Sequence, residues 1–518
     1  MALAKSYCIS LIGLTGTLIE VEADISANLP GFVLVGLPDA SLSEATARVR
    51  AATANSKASL PNRKVTVNLS PASVPKFGSS FDLAIAIAAL AAADKLKDPE
   101  IAKTVYLGEL GLDGAVRPIN GVLPAVMAAK REGFQRVIVP SANLAEAQLV
   151  DGVDAIGVAH LTQALRFHGA EVNEIKVMER ERPEGIEQSS AAIDIADIYG
   201  QESAVEALVI AAAGGHHLLM VGPPGVGKTM MAERMATILP DLTLEQSLET
   251  TAIHSVSRSR GKLGANLISR PPFEAPHHTS SATALVGGGL GIPSPGVISL
   301  AHNGILFLDE APEFQTPALE SLRQALESGQ ISIARSIGIA KYPSRFQLVL
   351  AANPCPCGQA LSPNRSCVCT SAARMRYLNR LSGPLLDRVD IRLQVRSVNA
   401  AQVELSKQMK DRMTSATAKQ LVISARQLMA ERLAPLGYSL VSHVPPTILR
   451  RSLRPPKNVT KLIDGALMKG VLSMRGYDRC LRVALSVAAL DGRDEVRAED
   501  LDQSFLLRGS DNLMAAAL

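Results

Sequence analysis

The chain has 518 residues, 47% of them apolar, with a formal net charge of +4 and a pI near 8.7. That length exceeds what one hydrophobic core serves, so two or three domains are expected. No apolar run reaches the ~18 residues of a membrane helix and the first residues lack an export-signal pattern, so a cytoplasmic protein without a membrane partner is expected; mild basicity alone does not argue for nucleic acid.

Residues 1–170 alternate short β-rich runs (64–69, 104–107, 136–139) with alanine-rich helical stretches (43–54, 81–93, 123–132), which predicts one mixed α/β domain. Residues 171–193 are charged, contain Arg182, Pro183 and Gly185, and show no sustained period, so they read as a linker. In residues 194–395 strands precede helices repeatedly, the signature of a parallel sheet covered by helices. Residues 396–518 are almost wholly helical, with Lys407, Lys410, Arg412, Lys419, Arg426 and Arg432 expected on exposed faces.

The strongest local signal is Gly222, Pro223, Pro224, Gly225, Val226, Gly227, Lys228 and Thr229, which follow an apolar strand and open a helix. Glycines let backbone N–H groups turn toward phosphate oxygens, and the helix N-terminus adds partial positive charge. Lys228 is expected to reach the β- and γ-phosphates of ATP and Thr229 to hold Mg²⁺. A second apolar strand ends in Asp309 and Glu310; Asp309 would orient Mg²⁺ through water and Glu310 would polarise the attacking water. A third ends in Asn353, a neutral group suited to positioning water. Arg388 stands at the edge of this domain, where it can act across a subunit boundary or simply pair with Asp387 or Asp390.

Downstream of Asn353, Cys355, Cys357, Cys367 and Cys369 bring four thiols into one loop, which suits a structural Zn²⁺; reduced free cysteines or a redox-sensitive loop are the alternatives. Residues 331–345 alternate like a hairpin with a glycine near its turn. Its Arg335, Lys341 and Arg345, with His277 and His278 before it, would track a DNA backbone or else form a solvated hairpin.

Taken together, GPPGVGKT, PFEAPHHTSSATALVGGG, ISLAHNGILFLDE, NPCPCG, LSGPLLDRVD and SMRGYDRCLRVA resemble, in order, the blocks of the AAA+ ATPases of the magnesium-chelatase-like branch, the ComM/YifB family. The resemblance covers nearly the whole chain. It implies sensor 1 at Asn353, an arginine finger at Arg388 with Arg380 as the second choice, sensor 2 at Arg475, and a hexameric ring with nucleotide between neighbours. It also implies a helicase that extends heteroduplex by branch migration when an incoming single strand recombines in natural transformation.

The fold it implies is a Lon-protease or ribosomal-S5-like α/β domain (1–170), an AAA+ core with a parallel sheet (194–395) and a C-terminal helical lid (396–518). In the first of these, residues 75–82 and 108–114 with Gly121 resemble the Lon protease domain. Ser80 matches the serine, but no lysine follows where its partner would stand, Lys130 being the nearest, so a non-proteolytic scaffold is expected. The remaining alternative is a chelatase-type motor that remodels a protein partner.

Overall fold

A computed structural model describes residues 3–27, 29–36, 44–76, 78–175, 193–257, 266–289, 293–335, 338–361, 367–409 and 411–508. Most of the expected linker, residues 176–192, lies outside this set, as do Lys410 and residues 336–337 of the expected hairpin.

The first sheet has seven strands: β1 (Ala4–Ile12), β2 (Thr15–Ser26), β3 (Gly31–Val35), β4 (Lys64–Ser70), β5 (Thr104–Tyr106), β6 (Arg136–Pro140) and β7 (Asp154–Val158). They run in the order β3-β4-β2-β1-β5-β6-β7. Helices α1 (Ala45–Asn55), α2 (Asp82–Ala92) and α3 (Val122–Arg131) belong to the same region. Helix α2, DLAIAIAALAA, is buried on nearly every side, so its uniform apolarity reflects a central core helix. The sequence reading does not single out β1 and β2, which pair antiparallel from Ala4↔Ala23 to Ile12↔Thr15 around a two-residue turn. Gly13 opens that turn at φ +64°, the conformation a tight hairpin requires.

The second sheet is parallel throughout: β8 (Leu218–Val221), β9 (Phe273–Glu274), β10 (Ile305–Leu308), β13 (Gln347–Ala352) and β14 (Ile391–Gln394), in the order β9-β10-β13-β8-β14. Between β10 and β13 the chain forms an antiparallel hairpin of β11 (Gln330–Arg335) and β12 (Gly338–Pro343). Strands β8, β10 and β13 are buried at every residue, as expected for strands covered on both faces.

One face of this sheet is covered by α4 (Glu202–Gly214), α5 (Lys228–Thr237) and the C-terminal helices, among them α7 (Ser415–Leu433) and α8 (Met474–Leu490). A single apolar cluster runs from Leu218 and Met220 through α4 to Val422, Leu481 and Ala488, so the hydrophobic core crosses residue 396 without a break. Arg412 and Arg426 are not spread on an outer face as expected. Arg412 donates to the carbonyls of Ala196 and Ile198 and lies 4.0 Å over the Tyr199 ring, and Arg426 donates to Ala212 O at 2.6 and 3.1 Å. Long arginine stems bury along apolar surface while their forks satisfy carbonyls at helix ends.

Helix α6 (Leu244–Val256) joins the two sheets. Ala252 belongs to the first core, Gly121 N donates to Ser255 O at 3.1 Å, and the buried Glu146 accepts from both Leu123 N and the Ser255 hydroxyl. Ile12 and Leu14, at the β1–β2 turn, pack from the other side onto the cluster that contains Ile331, Ile333, Ala340 and Tyr342 of the β11–β12 hairpin.

Candidate nucleotide site

Strand β8 delivers its last residue to Gly222, where a Cβ would lie 2.4 Å from the carbonyl oxygen of Val395. Only glycine fits that approach. Gly225 and Gly227 then take φ values of +80° and +88°, and α5 starts at Lys228 directly behind them. The loop therefore lies outside the carboxyl ends of parallel strands and at the start of a helix, where open α/β sheets bind phosphate groups.

Lys228 Nζ donates to Gly222 O at 2.7 Å, Pro223 O at 2.9 Å and Asn353 Oδ1 at 3.1 Å. Burial pushes its pKa below the usual lysine value, and Asp309 and Glu310 pull it back up. The Thr229 hydroxyl donates to Asp309 Oδ2 at 2.7 Å. A hydroxyl and a carboxylate converging at a phosphate-loop helix form a hard-oxygen pair that fits Mg²⁺. Glu310 N donates to Asp309 Oδ1 at 2.9 Å, and Glu310 itself sits at φ +48°, an uncommon backbone conformation for a residue with a side chain. Strands β8, β10 and β13 thus bring Lys228, Thr229, Asp309, Glu310 and Asn353 to one edge of the sheet.

The arginines stand apart from this group. Arg388 pairs with Glu327 and donates to Pro384 O at 2.6 Å, so its acidic partner is neither Asp387 nor Asp390. Asp387 pairs instead with Arg475, and Asp390, held well below the usual carboxylate range chiefly by Arg479, bonds Arg479 at 2.7 Å. Arg380 bonds Glu313 at 3.2 Å, one turn beyond Glu310. Sequence reasoning missed Gln201, whose side chain donates to Val226 O at 3.1 Å and braces the phosphate loop from the start of α4; a lone glutamine before a helix gives no signal of that. It also missed Gly358, where a Cβ would lie 2.6 Å from the Pro224 ring, so the cysteine loop rests on the phosphate loop.

Cys355, Cys357, Cys367 and Cys369 place their sulfurs within 4.8 Å of one another, with Sγ–Sγ distances of 3.4 Å from Cys355 to Cys357 and 3.6 Å from Cys367 to each of them. Sulfurs ~2.3 Å from a tetrahedral Zn²⁺ stand about 3.8 Å apart, so the cluster fits that ion.

In the hairpin, Ile331↔Tyr342 and Ile333↔Ala340 are buried pairs, and Ala334, Arg335, Ile339 and Lys341 face outward. Arg345 stands beyond the end of β12. Its backbone bonds His302 and Asn303, and its side chain lies against Gly329 in a cleft that also contains Glu327 and His443, away from the hairpin strands. His278 is likewise placed elsewhere, its Nδ1 3.5 Å from Glu310 Oε2.

In the first region, Lys76 Nζ donates to the carbonyls of Gly36 and Pro71, Lys130 Nζ donates to Asp151 O at 2.6 Å, and the Ser79 hydroxyl is bonded to Glu109. Both lysine amines are therefore committed to backbone carbonyls. Asp82 is bound by the Arg48 fork at 2.6 and 3.0 Å.

Residues 194–403 match the family described as magnesium chelatase, subunit ChlI; residues 21–143 match subunit ChlI of Mg-chelatase, and residues 412–508 match its C-terminal region. An uncharacterized protein of Mycobacterium tuberculosis is 48% identical over 96% of this chain and 98% of its own length. The uncharacterized protein YifB of Escherichia coli is 39% identical over 99% and 98% of the two chains. The competence protein ComM of Haemophilus influenzae is 38% identical over 96% and 95%. No helix among the described residues is long and apolar enough to cross a membrane. With a phosphate loop and its acidic partners gathered on one sheet edge, and full-length likeness on this scale, the chain belongs to the ComM/YifB family of magnesium-chelatase-like AAA+ ATPases.

Proposed function

We propose that the protein is a cytoplasmic ATP-driven DNA translocase that promotes branch migration when incoming single-stranded DNA recombines during natural transformation. The observation that carries this reading is the pairing of a complete phosphate-loop edge with an outward basic hairpin, Arg335 and Lys341, rooted in the same sheet. The name of the competence protein from Haemophilus influenzae supports the cellular setting.

In this reading Lys228 and the loop amides would hold the phosphates of ATP, and Thr229 and Asp309 would hold Mg²⁺, which would supply positive charge against the phosphates. Glu310 accepts the proton of the attacking water, and Asn353 holds that water in line. Arg388 reaches the neighbouring subunit's nucleotide in a hexameric ring, leaving Glu327 to do so, and Arg475 closes the C-terminal helices onto the site. The four cysteines hold Zn²⁺ as a staple beneath the phosphate loop. Arg345 contributes to DNA binding only from its cleft behind the hairpin.

The chain divides functionally at 1–170, 171–193, 194–395 and 396–518. Its first part is a Lon- and S5-like scaffold without protease activity, a reading supported by the commitment of Lys76 and Lys130 to carbonyls.

Strand displacement and branch migration with wild type and Lys228→Ala test the reading; activity retained in the variant sinks it. Replacing Arg335 and Lys341 with alanine is expected to lower the salt slope of single-strand binding by about 1.4, the loss of two phosphate contacts. An unchanged slope removes the hairpin from the DNA path. The family match to a chelatase subunit keeps a second reading in view, a motor acting on a protein partner; stimulation of ATP hydrolysis by a chelatase subunit and not by DNA would favour it.

A further inference from the structure

The parallel sheet has a second end. Leu218, Ile305 and Gln347 open β8, β10 and β13 there, and the four residues of β8 span about 13 Å, so this end lies well away from the phosphate loop that follows Val221. A cleft of about 710 Å³ is cut into it, walled by Asp241, Asn303, Glu327, Arg426 and the segments 344–347 and 437–443. That volume falls in the range of small-molecule sites.

The charges of the cleft do not balance. The two acids that line it are already matched: Asp241 bonds Lys419 at 2.8 Å, and Glu327 pairs with Arg388 and, at 3.2 Å, with Arg323. The cations are not. Arg426 reaches only Ala212 O, in the last turn of α4, where a helix end offers partial negative charge but no ion. Burial pushes its pKa down to about 10, with no carboxylate opposing the shift. Among the described residues the Arg345 guanidinium and the His443 ring have no hydrogen-bond or salt-bridge partner. Glu249 feels the charge of Arg345, but its carboxylate is bonded to His302 at 2.8 Å. Burial lowers the His443 pKa, and Arg345, Arg426 and Arg482 lower it further, so three guanidinium fields meet at that ring.

One neutral group points the same way. Ser344 is 1% exposed, and its hydroxyl, at the wall of this cleft, has no partner among the described residues. A buried hydroxyl without an acceptor and a buried guanidinium without an anion are both costly. A single ligand with several charged acceptor oxygens would satisfy both.

We propose that this cleft is an anion site separate from the phosphate loop, and that it takes a phosphorylated ligand of mononucleotide size, with its phosphate between Arg345, Arg426 and His443 and accepting from Ser344 Oγ. A phosphate monoester suits the place better than a carboxylate, because it sets nearly two charges and three acceptor oxygens against several converging cations. Phe346 and Tyr438 on the same wall offer aromatic surface to the rest of the ligand. A DNA strand that reaches Arg345 would compete for the same groups.

Equilibrium dialysis of the full chain against radiolabelled AMP, and separately against pyrophosphate, tests this in a Lys228→Ala background that disables the phosphate loop. That chain is expected to keep one molecule of either probe bound. Adding Arg345→Gln is expected to weaken binding about tenfold to a hundredfold, the scale of a charge-assisted hydrogen bond, and adding Ser344→Ala about fivefold. Arg345→Lys keeps the charge and is expected to hold most of the affinity, which separates a lost charge from a lost fold. No binding of either probe in the Lys228→Ala chain overturns the proposal, as does binding that survives both Arg345→Gln and Ser344→Ala, or equal loss in Arg345→Gln and Arg345→Lys. A 5′-phosphorylated oligothymidylate that binds through Arg345 where AMP does not overturns the small ligand and gives the cleft to strand ends.

Discussion

Two lysines of this protein are built alike and face different surroundings. Lys76, fully buried, gives its amine to the carbonyls of Gly36 and Pro71; Lys228, 8% exposed, gives its amine to those of Gly222 and Pro223. Burial lowers both pKa values. The difference lies in what stands opposite. Among the described residues Lys76 is bonded to the carbonyls of Gly36 and Pro71, whereas Lys228 faces Asn353, Asp309 and Glu310 from a loop whose glycines hold positive φ at the start of a helix. A lysine locked into closed packing is a clamp. One held by a phosphate loop can exchange carbonyl oxygens for phosphate oxygens without disturbing a core.

The largest expected effect tests the functional side of that contrast. Lys228→Ala is expected to cut ATP hydrolysis about a thousandfold, on the scale of losing a principal charge-stabilising group, while the melting temperature moves little. A loss of only a few-fold would break the comparison. Lys76→Ala is expected to do the reverse: two buried carbonyls lose their donor and a cavity opens, costing about 3 kcal/mol, read as a lower denaturant midpoint with hydrolysis per folded molecule unchanged.

A smaller effect sharpens the contrast through pH. The folded chain gives up the Lys76 proton below the ordinary value of 10.5, so between that lowered value and 10.5 the unfolded chain binds more protons. The stabilisation is complete above 10.5 and is lost as pH falls through the lowered folded value. The midpoint of wild type relative to Lys76→Met is thus expected to rise as pH climbs toward 10.5; a flat difference would mean that Lys76 titrates as an ordinary lysine. The smallest effect is expected at Ser80, where alanine should leave hydrolysis and DNA stimulation unchanged, and peptide cleavage that disappears with it would restore a protease to the first region.

The nucleotide edge was legible in the sequence because its grammar is local: an apolar strand, a glycine loop, a lysine and a helix lie within twenty residues. The acidic pair and Asn353 were legible for a similar reason, each ending an uninterrupted apolar run. Four cysteines in one short loop were equally plain. What escaped depends on contacts distant in the chain. Glu327 as the partner of Arg388 lies 61 residues away, and the carbonyl that accepts from Arg426 lies 214 residues away. Strand β1 escaped because it shows no clean alternation, but β2 alternates plainly, with Ile19, Val21 and Ala23 buried between Glu20, Glu22 and Asp24, a period-2 signal that was there to be read. His278 was readable as a basic residue but not as the neighbour of Glu310, because its ring is aimed by an irregular segment with no period to read.

One contact of the first hairpin sets the tempo of the second. A Cβ at Gly13 would lie 3.0 Å from Lys341 O and 3.2 Å from Lys341 N, so the β1–β2 turn touches the backbone of β12 with no side chain between them. Ile12 and Leu14 seal the junction on the apolar side. The basic hairpin is therefore not a free loop sampling positions in nanoseconds. Moving it means moving a seven-stranded sheet or shearing that seam, and motions of whole folded units run on microseconds to milliseconds.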